Sequence, residues 1–123
     1  MTVLIVDDEP SVRRSVRACL KNNADVQSIG EGSTGAQARQ DIRRLRPEVV
    51  FLDIRMPQMD GFEVLSRIKN NPDLAQTRVI LLTGNEQEMN ILRGFSLGAD
   101  DYVTKPFNPM ELLMRLKRVI GRI

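Results

Sequence analysis

The feature that most constrains the fold of this chain is an alternation between two kinds of hydrophobic pattern. Five short apolar runs are separated by stretches in which apolar residues recur every three or four positions. A short continuous run is typical of a strand buried on both faces, whereas the second pattern predicts an amphipathic helix. The runs span residues 3–6, 26–29, 49–52, 79–82 and 102–103. Five successive β-α units predict an α/β fold, a right-handed doubly wound sandwich around a parallel sheet.

The helical patterns follow each of these runs in turn. Prolines at 47 and 72 come after the second and third patterns, where helices are expected to stop. The apolar positions that define the patterns are Val12, Val16 and Leu20; Ala38, Ile42 and Leu45; Leu65 and Ile68; Met89 and Leu92; and Leu112, Leu116 and Val119.

The size of the chain predicts one domain. Its 123 residues and 13.9 kDa allow one hydrophobic core, so we expect a single domain over residues 1–123 with no output domain attached. The first residues do not resemble an export signal, and no stretch approaches the roughly 18 apolar residues of a membrane span. We therefore expect a cytoplasmic protein that does not associate with a membrane.

Composition excludes several classes of site. The single cysteine rules out an internal disulfide, and the absence of histidine removes the commonest zinc ligand and any histidine general base. A net charge of +2 is a weak indication of nucleic-acid binding. We interpret the arginine groups at 13, 14 and 17 and at 39, 43 and 44 as solvated helix faces, and we expect no direct nucleic-acid binding.

Charged and hydroxyl side chains follow the predicted strands where each one ends. In an open parallel sheet, ligands bind beyond the carboxyl ends of the strands, so these residues are the candidate site. Clustered carboxylates repel one another unless a cation intervenes, and their oxygens are ligands that Mg²⁺ accepts. The residues at the strand ends are Asp7, Asp8 and Glu9; Asp53; Thr83 and Gly84; and Thr104, Lys105 and Pro106.

Four stretches carry these residues, and together they resemble the receiver domain of bacterial two-component response regulators. They are LIVDDE at 4–9, FLDIRMPQMDG at 51–61, LTG at 82–84 and GADDYVTKPF at 98–107. The stretches occur in the order and at the spacing of the family, and the resemblance covers essentially the whole chain. It implies a flavodoxin-like (βα)5 sandwich whose five parallel strands are ordered 2-1-3-4-5.

The resemblance also implies a phosphoacceptor and a metal site. Asp53 would attack a phosphohistidine of a sensor histidine kinase or histidine phosphotransfer protein to form an aspartyl phosphate. Asp8, Asp53 and the main-chain carbonyl of Arg55 would bind Mg²⁺, and Asp7 would hold a metal-bound water. Lys105 would pair with a phosphoryl oxygen, aimed by a cis bond to the proline that follows it.

Thr83 and Tyr102 would form the switch in such a domain. The Thr83 hydroxyl would hydrogen-bond the phosphoryl group, and Tyr102 would then turn inward and change the face formed by the fourth helix, fifth strand and fifth helix. The resemblance thus implies a regulatory domain that takes part in phosphotransfer and self-dephosphorylation, rather than an enzyme. Arg55 and Asn85 could alter the lifetime of the phosphoryl group in either direction.

Dimerisation on that same face is a further hypothesis. Charged residues near it resemble those through which one subfamily of receivers pairs, although Ile91 stands where a basic residue is expected. These residues are Arg93, Asp100, Asp101, Glu111, Arg115 and Arg118.

Three other interpretations remain open. The stretch GEGSTG at 30–35 fits G-x-G-x-x-G, and Asp53 lies 18 residues past its last glycine, which indicates dinucleotide binding. The chain is short for such an enzyme, and a turn glycine at 35 with Ala38 also fits a receiver. Haloacid-dehalogenase-type phosphatases use Asp-x-Asp, but Asp53 is followed at +2 by Arg55. A pseudo-receiver that binds partners without phosphorylation is the third alternative.

Overall fold

A computed structural model of the protein describes residues 1–55, 61–84 and 88–121. Strands and helices alternate along the chain in five β-α units, as the hydrophobic pattern predicts. The strands are β1 (Thr2–Val6), β2 (Ser28–Gly32), β3 (Val49–Asp53), β4 (Arg78–Thr83) and β5 (Asp101–Thr104). The helices are α1 (Pro10–Leu20), α2 (Gly35–Leu45), α3 (Gly61–Asn70), α4 (Glu88–Ser96) and α5 (Pro109–Ile120).

The five strands form one parallel sheet in the order β2-β1-β3-β4-β5, which confirms the expected topology. The three central strands are almost completely buried because helices cover both faces of the sheet. None of the helices in the described ranges is long and apolar enough to cross a membrane.

The core has two layers, one on each side of the sheet. Side chains alternate across β1, so that Leu4 and Val6 belong to one layer and Val3 and Ile5 to the other. The first layer contains the buried residues of α2 and α3, and the second contains those of α1 and α5. The apolar positions predicted from helical spacing on α1, α2, α3 and α5 pack into these layers. The prediction was wrong for Leu92 of α4, which is 57 % exposed.

The second strand is displaced from its predicted position. The apolar run predicted a strand at residues 26–29, whereas β2 begins at Ser28 and includes Gly30 and Gly32, which pair with Leu4 and Val6 of β1. A methyl group on Gly30 would lie 2.7 Å from Leu45 Cδ1, so α2 packs closely over this strand. The first two glycines of the G-x-G-x-x-G motif are therefore strand residues and not a phosphate-binding turn, which argues against the dinucleotide interpretation.

Candidate functional site

The carboxyl ends of the strands bring the predicted site residues to one edge of the sheet. Asp53 is the last residue of β3 and pairs with Leu82, one residue before Thr83 at the end of β4. Asp7 directly follows β1, where its N–H donates to the carbonyl of Gly32 at 3.1 Å. Lys105 directly follows β5, and its N–H donates to the carbonyl of Thr83 at 2.5 Å. Residues far apart in sequence thus converge because parallel strands end together.

Three carboxylates cluster at this edge. One oxygen from each of Asp7, Asp8 and Asp53 lies within 4.8 Å of the others. Asp7 and Asp53 are buried, whereas Asp8 is exposed. Hard oxygen donors in this number suit Mg²⁺, which binds through few carboxylates and keeps several waters. The donor set therefore fits a magnesium ion.

Asp7 is held by neighbours on both of its carboxylate oxygens. The N–H of Glu9 donates to Oδ1 at 2.9 Å, and the ammonium of Lys105 donates to Oδ2 at 2.8 Å. Asp7 is completely buried, so these contacts compensate for its lost hydration. The Asp7 carboxylate is therefore fixed in position within the cluster. Asp8 is exposed, so its carboxylate is more accessible than that of Asp7.

Lys105 lies between two acids. Its Nζ is 2.8 Å from Asp7 Oδ2 and 3.5 Å from Asp53 Oδ1. Burial favours the neutral amine, but the hydrogen bond to Asp7 and the charge of Asp53 outweigh it and raise the pKa of Lys105. The residue therefore stays a cation beside Asp53. The Lys105–Pro106 bond is cis, as the resemblance implies.

Asp53 has an unusual environment for a carboxylate. Burial raises its pKa from 3.8 to about 7, opposed by a hydrogen bond from the Arg55 N–H at 3.1 Å and reinforced by the charge of Asp7. Asp53 is only 4 % exposed and adjoins two other acids, so its charged form would be stabilised by any cation placed among them. The site is thus built to receive positive charge.

Thr83 and Tyr102 occupy neighbouring strands beside this cluster. The Thr83 hydroxyl is buried and has no hydrogen-bond partner among the described residues. The half-buried Tyr102 ring lies edge-on to Phe95 of α4, with centroids 6.0 Å apart, and the Arg115 guanidinium of α5 lies 4.9 Å from its centroid. A ring between these two helices touches both elements of the predicted switch face.

The charged residues of the predicted dimer face are engaged within the chain. Asp101 is buried and accepts from Arg115 Nη1 at 2.6 Å, a contact between β5 and α5. Asp100 accepts from Lys69 Nζ at 3.0 Å, and Arg93 lies over the ring of Phe62. The sequence alone could not reveal these pairs, because each joins two different elements of the fold.

Arg13 was predicted to lie on a solvated helix face, but its side chain is only 17 % exposed and contacts residues of the site edge. Its Nη1 donates to the main-chain carbonyl of Asp7 at 2.5 Å, and its Nε donates to Glu31 of β2 at 3.2 Å. Its role could have been suspected from sequence, because it lies in the first turn of the helix that follows Asp7 and Asp8. Residues 56–60 and Asn85 lie outside the described residues.

A five-stranded parallel α/β fold with an acidic cluster at its strand ends is typical of a signalling domain. Similarity to known sequences identifies the family. The sequence matches the family described as response regulator receiver domain over residues 3–117. The chain therefore belongs to the response regulator receiver family of two-component systems, and it is a regulatory domain. Sensor kinases are the partners that this family implies.

Relatives and solved structures agree with this assignment. Probable transcriptional regulatory protein TcrX of Mycobacterium tuberculosis is 39 % identical over 99 % of this chain and 50 % of its own length. Transcriptional regulatory protein SrrA of Staphylococcus aureus is 36 % identical over 98 % of this chain and 48 % of its own length. The chain thus spans about half the length of these relatives.

Two solved structures show the same fold at 30 % sequence identity. The signal receiver domain of a DNA-binding response regulator from Colwellia psychrerythraea 34H superposes with a TM-score of 0.90 over 98 % of both chains. The chemotaxis response regulator CheY4 of Vibrio cholerae has a TM-score of 0.87 over 96 % of this chain and 97 % of its own.

Proposed function

We propose that this domain is a phosphorylation-activated switch in which Asp53 accepts a phosphoryl group from a phosphohistidine of a sensor histidine kinase or histidine phosphotransfer protein. The observation that carries the proposal is the convergence of three carboxylates with the Lys105 ammonium 3.5 Å from Asp53. A carboxylate oxygen of Asp53 attacks phosphorus, the bond to the imidazole nitrogen breaks, and an aspartyl phosphate forms. Such a transfer depends on positioning and charge neutralisation.

We assign the Mg²⁺ ligands as Asp8, Asp53 and the main-chain carbonyl of Arg55, with Asp7 holding a bound water. The bound cation would offset the charge of the phosphoryl oxygens and of the clustered acids. Asp7 suits an indirect role because Glu9 and Lys105 already occupy its two oxygens. Asp8 suits direct binding because it is exposed beside the other two.

Lys105 pairs with a phosphoryl oxygen once the group has been transferred. Its ammonium already lies between Asp7 and Asp53, so a small change of the flexible side chain brings it to a new oxygen on Asp53. The lysine ammonium suits this movement from Asp7 to a phosphoryl oxygen, because it is a compact charge with three rotatable donors.

The phosphodonor docks against a groove between α1 and the loop after β5. The groove has a volume of about 780 Å³ and contains Lys105 itself, so an occupant reaches the acidic edge. Small and apolar side chains such as Ser15, Ala18 and Phe107 line it. A helical phosphohistidine domain fits a shallow surface of this chemistry beside α1.

Phosphorylation is read out through Thr83 and Tyr102. The buried Thr83 hydroxyl lacks a partner among the described residues, and a phosphoryl oxygen on Asp53 would supply one. Movement of Thr83 toward the site would give Tyr102 room to leave its place between Phe95 and Arg115. The population then shifts toward a second arrangement of the α4–β5–α5 face, which controls an output domain or partner. Hydrolysis of the aspartyl phosphate resets the domain.

Homodimerisation on this face is the output that the surface supports. Large apolar side chains are exposed on both helices, with Leu92 57 % and Phe95 45 % accessible on α4 and Met110 and Met114 more so on α5. Exposed apolar groups on the two helices that contact Tyr102 suit a self-complementary contact. Sedimentation velocity with and without beryllofluoride tests this, and a monomer under both conditions refutes dimerisation.

Intact-mass measurement tests the phosphoacceptor assignment. The purified chain is incubated with acetyl phosphate or phosphoramidate, with and without Mg²⁺, alongside Asp53→Asn and the control Asp73→Asn. We expect an adduct of one phosphoryl group that needs Mg²⁺, survives in the control and is absent from Asp53→Asn. An adduct in Asp53→Asn would contradict the assignment of the acceptor, and no adduct with any donor would favour a pseudo-receiver.

A further inference from the structure

We propose that the groove between α2 and α3 binds an acidic amphipathic segment of a partner protein. The groove has a volume of about 460 Å³ and extends along the carboxyl-terminal halves of the two helices to the turn after α3. The buried side chains of Ile42, Val64 and Ile68 form its floor. The proposal concerns a different face from the acidic site and does not depend on phosphorylation of Asp53.

The walls of the groove carry a net positive charge. Arg39 and Arg43 of α2 and Arg67 of α3 line it together with two asparagines, and its lining contains no carboxylate among the residues that the structure describes. Arg67 has a half-exposed partner in Glu63 at 3.1 Å, a contact of little energetic weight. Arg39 and Arg43 have no acidic partner within residues 1–55, 61–84 and 88–121.

The acid on α2 does not neutralise these arginines. Asp41 is buried and accepts from Arg44 at 3.2 Å, on a different side of the helix from the groove. Residues 39–46 contain four arginines and one aspartate, although the whole chain has a net charge of only +2. Positive charge is therefore concentrated along α2, and a binding partner of opposite charge would compensate for it.

The arginines form a row and not a compact cluster. Arg39, Arg43 and Arg46 recur at i, i+4 and i+7, which spans about 10 Å along a helix. Arg43 and Arg46 line an adjoining depression of about 340 Å³ together with one acid, Asp73, and this depression shares Asn71 and Leu74 with the main groove. A row of this length matches several carboxylates spaced along a peptide better than it matches a single phosphate.

An acidic amphipathic helix satisfies both the charge and the shape. Guanidinium groups bind carboxylates with two parallel hydrogen bonds, which fixes orientation as well as charge. The half-buried Leu74 and the methylene stems of the arginines offer apolar contact below the charged rim. A helix laid between two helices is a common mode of peptide recognition.

Amide chemical-shift mapping tests the proposal with a synthetic peptide of about 14 residues that carries glutamates on one helical face and leucines on the other. We expect perturbations confined to residues 39–46 and 64–74. Arg39→Gln combined with Arg43→Gln should weaken binding by about tenfold or more, whereas Arg14→Gln on α1 should leave it unchanged. Arg14 is a matched control because it is also an exposed helical arginine.

Several outcomes overturn the proposal. The proposal is wrong if the chemical-shift changes spread over all basic surfaces, or if the double variant binds the peptide as tightly as the wild type. It is also wrong if no binding occurs at about 1 mM peptide in low salt. Tighter binding of inorganic polyphosphate or single-stranded RNA than of the peptide would contradict the choice of an acidic polypeptide. Thermal unfolding of the double variant should match that of the wild type, because both arginines are exposed.

Discussion

The Lys105 ammonium lies 2.8 Å from Oδ2 of Asp7 and forms its shorter contact there, not with Asp53. Asp7 follows β1 and Lys105 follows β5, so this pair connects both halves of the sheet across 98 positions of sequence. The contact holds the lysine cationic beside Asp53 while leaving it 3.5 Å away. The lysine therefore belongs to the acidic cluster.

Removal of this cation should strengthen Mg²⁺ binding while weakening phosphorylation. Lys105→Met leaves three carboxylates without their nearby positive charge, so a divalent ion gains attraction, by about 3- to 10-fold in affinity. The rate of aspartyl phosphate formation should fall, because the phosphoryl oxygens lose their partner. Isothermal titration calorimetry with Mg²⁺ and mass measurements with acetyl phosphate check the two effects.

Lys69→Met is the matched control for this prediction. Lys69 also forms a paired contact, with Asp100 at 3.0 Å, but lies far from the acidic edge. Its substitution should change neither Mg²⁺ affinity nor phosphorylation. Weaker Mg²⁺ binding by Lys105→Met would contradict an electrostatic account of the pair.

Stability in the absence of metal should fall as pH rises from about 4 to about 7. The carboxyl of Asp53 ionises near pH 4 in the unfolded chain, whereas burial raises its pKa to about 7 in the folded state. Between these values the folded state holds a proton that the unfolded state has lost, so each rise in pH favours unfolding. Below this window and above it, the group adds no further pH dependence.

Urea unfolding of wild type and Asp53→Asn between pH 5 and 8 in Mg²⁺-free buffer tests this dependence. The variant should gain about 1–3 kcal/mol over the wild type at pH 8 relative to pH 5. Saturating Mg²⁺ should reduce the difference because the ion stabilises the ionised cluster. Parallel pH profiles for the two proteins would show that Asp53 titrates normally.

Thr83→Val should stabilise the unphosphorylated domain and impair its switching. The Thr83 hydroxyl is buried without a hydrogen-bond partner among the described residues, so a methyl group of the same shape removes a desolvation cost of about 1 kcal/mol. The variant should also lose the response of Tyr102 to beryllofluoride. Tyr102 is the single tyrosine in a chain without tryptophan, so intrinsic fluorescence reports on it directly.

For Thr77→Val we expect the opposite effect on the stability of the domain. Thr77 is also buried, but its hydroxyl donates to the carbonyl of Pro47 at 3.3 Å. The same substitution there should destabilise the domain by about 1 kcal/mol and leave the fluorescence response intact. Equal destabilisation by both variants would mean that Thr83 has a partner in solution.

Gly61→Ala should damage the site through the backbone. A methyl group on Gly61 would lie 2.3 Å from the carbonyl oxygen of Asp53 and 2.6 Å from Ile54 Cα, so β3 and α3 would have to separate. We expect a loss of about 2–4 kcal/mol in the free energy of unfolding and weaker Mg²⁺ binding. Gly32→Ala is the control, because its nearest contact would be an ordinary 3.5 Å and its cost should stay below about 1 kcal/mol.

The sequence predicted the central strands well because their own composition specifies them. β1, β3 and β4 are apolar on both faces, and the predicted runs at 3–6, 49–52 and 79–82 lie inside them. β2 was misplaced because its residues, from Ser28 to Gly32, lack an apolar run. Its position is set by pairing with β1, from Thr2 with Ser28 to Val6 with Gly32, which is information held in another segment.

The properties of the site residues also divide into those that follow from local sequence and those that depend on residues distant in sequence. The order of the strand ends was sufficient to group Asp7, Asp8, Asp53 and Lys105, because all parallel strands finish at one edge. The burial of Asp101 was not predictable, because Arg115, which lies 14 residues further along, pairs with it only after α5 packs beside β5. From sequence alone a charged residue is expected to be exposed, because the residue that will pair with it is not known.

By itself, the sequence determined the type of sheet, the edge that carries the chemistry and the residue types gathered there. These properties follow from hydrophobic periodicity and from the side chains at strand ends, which are local features. Only the tertiary structure decided that Lys105 pairs first with Asp7, that Asp53 is buried with a pKa of about 7, and that the Thr83 hydroxyl lacks a partner. Distance, burial and hydrogen bonding depend on groups that the fold brings together, and no single segment of the chain contains them.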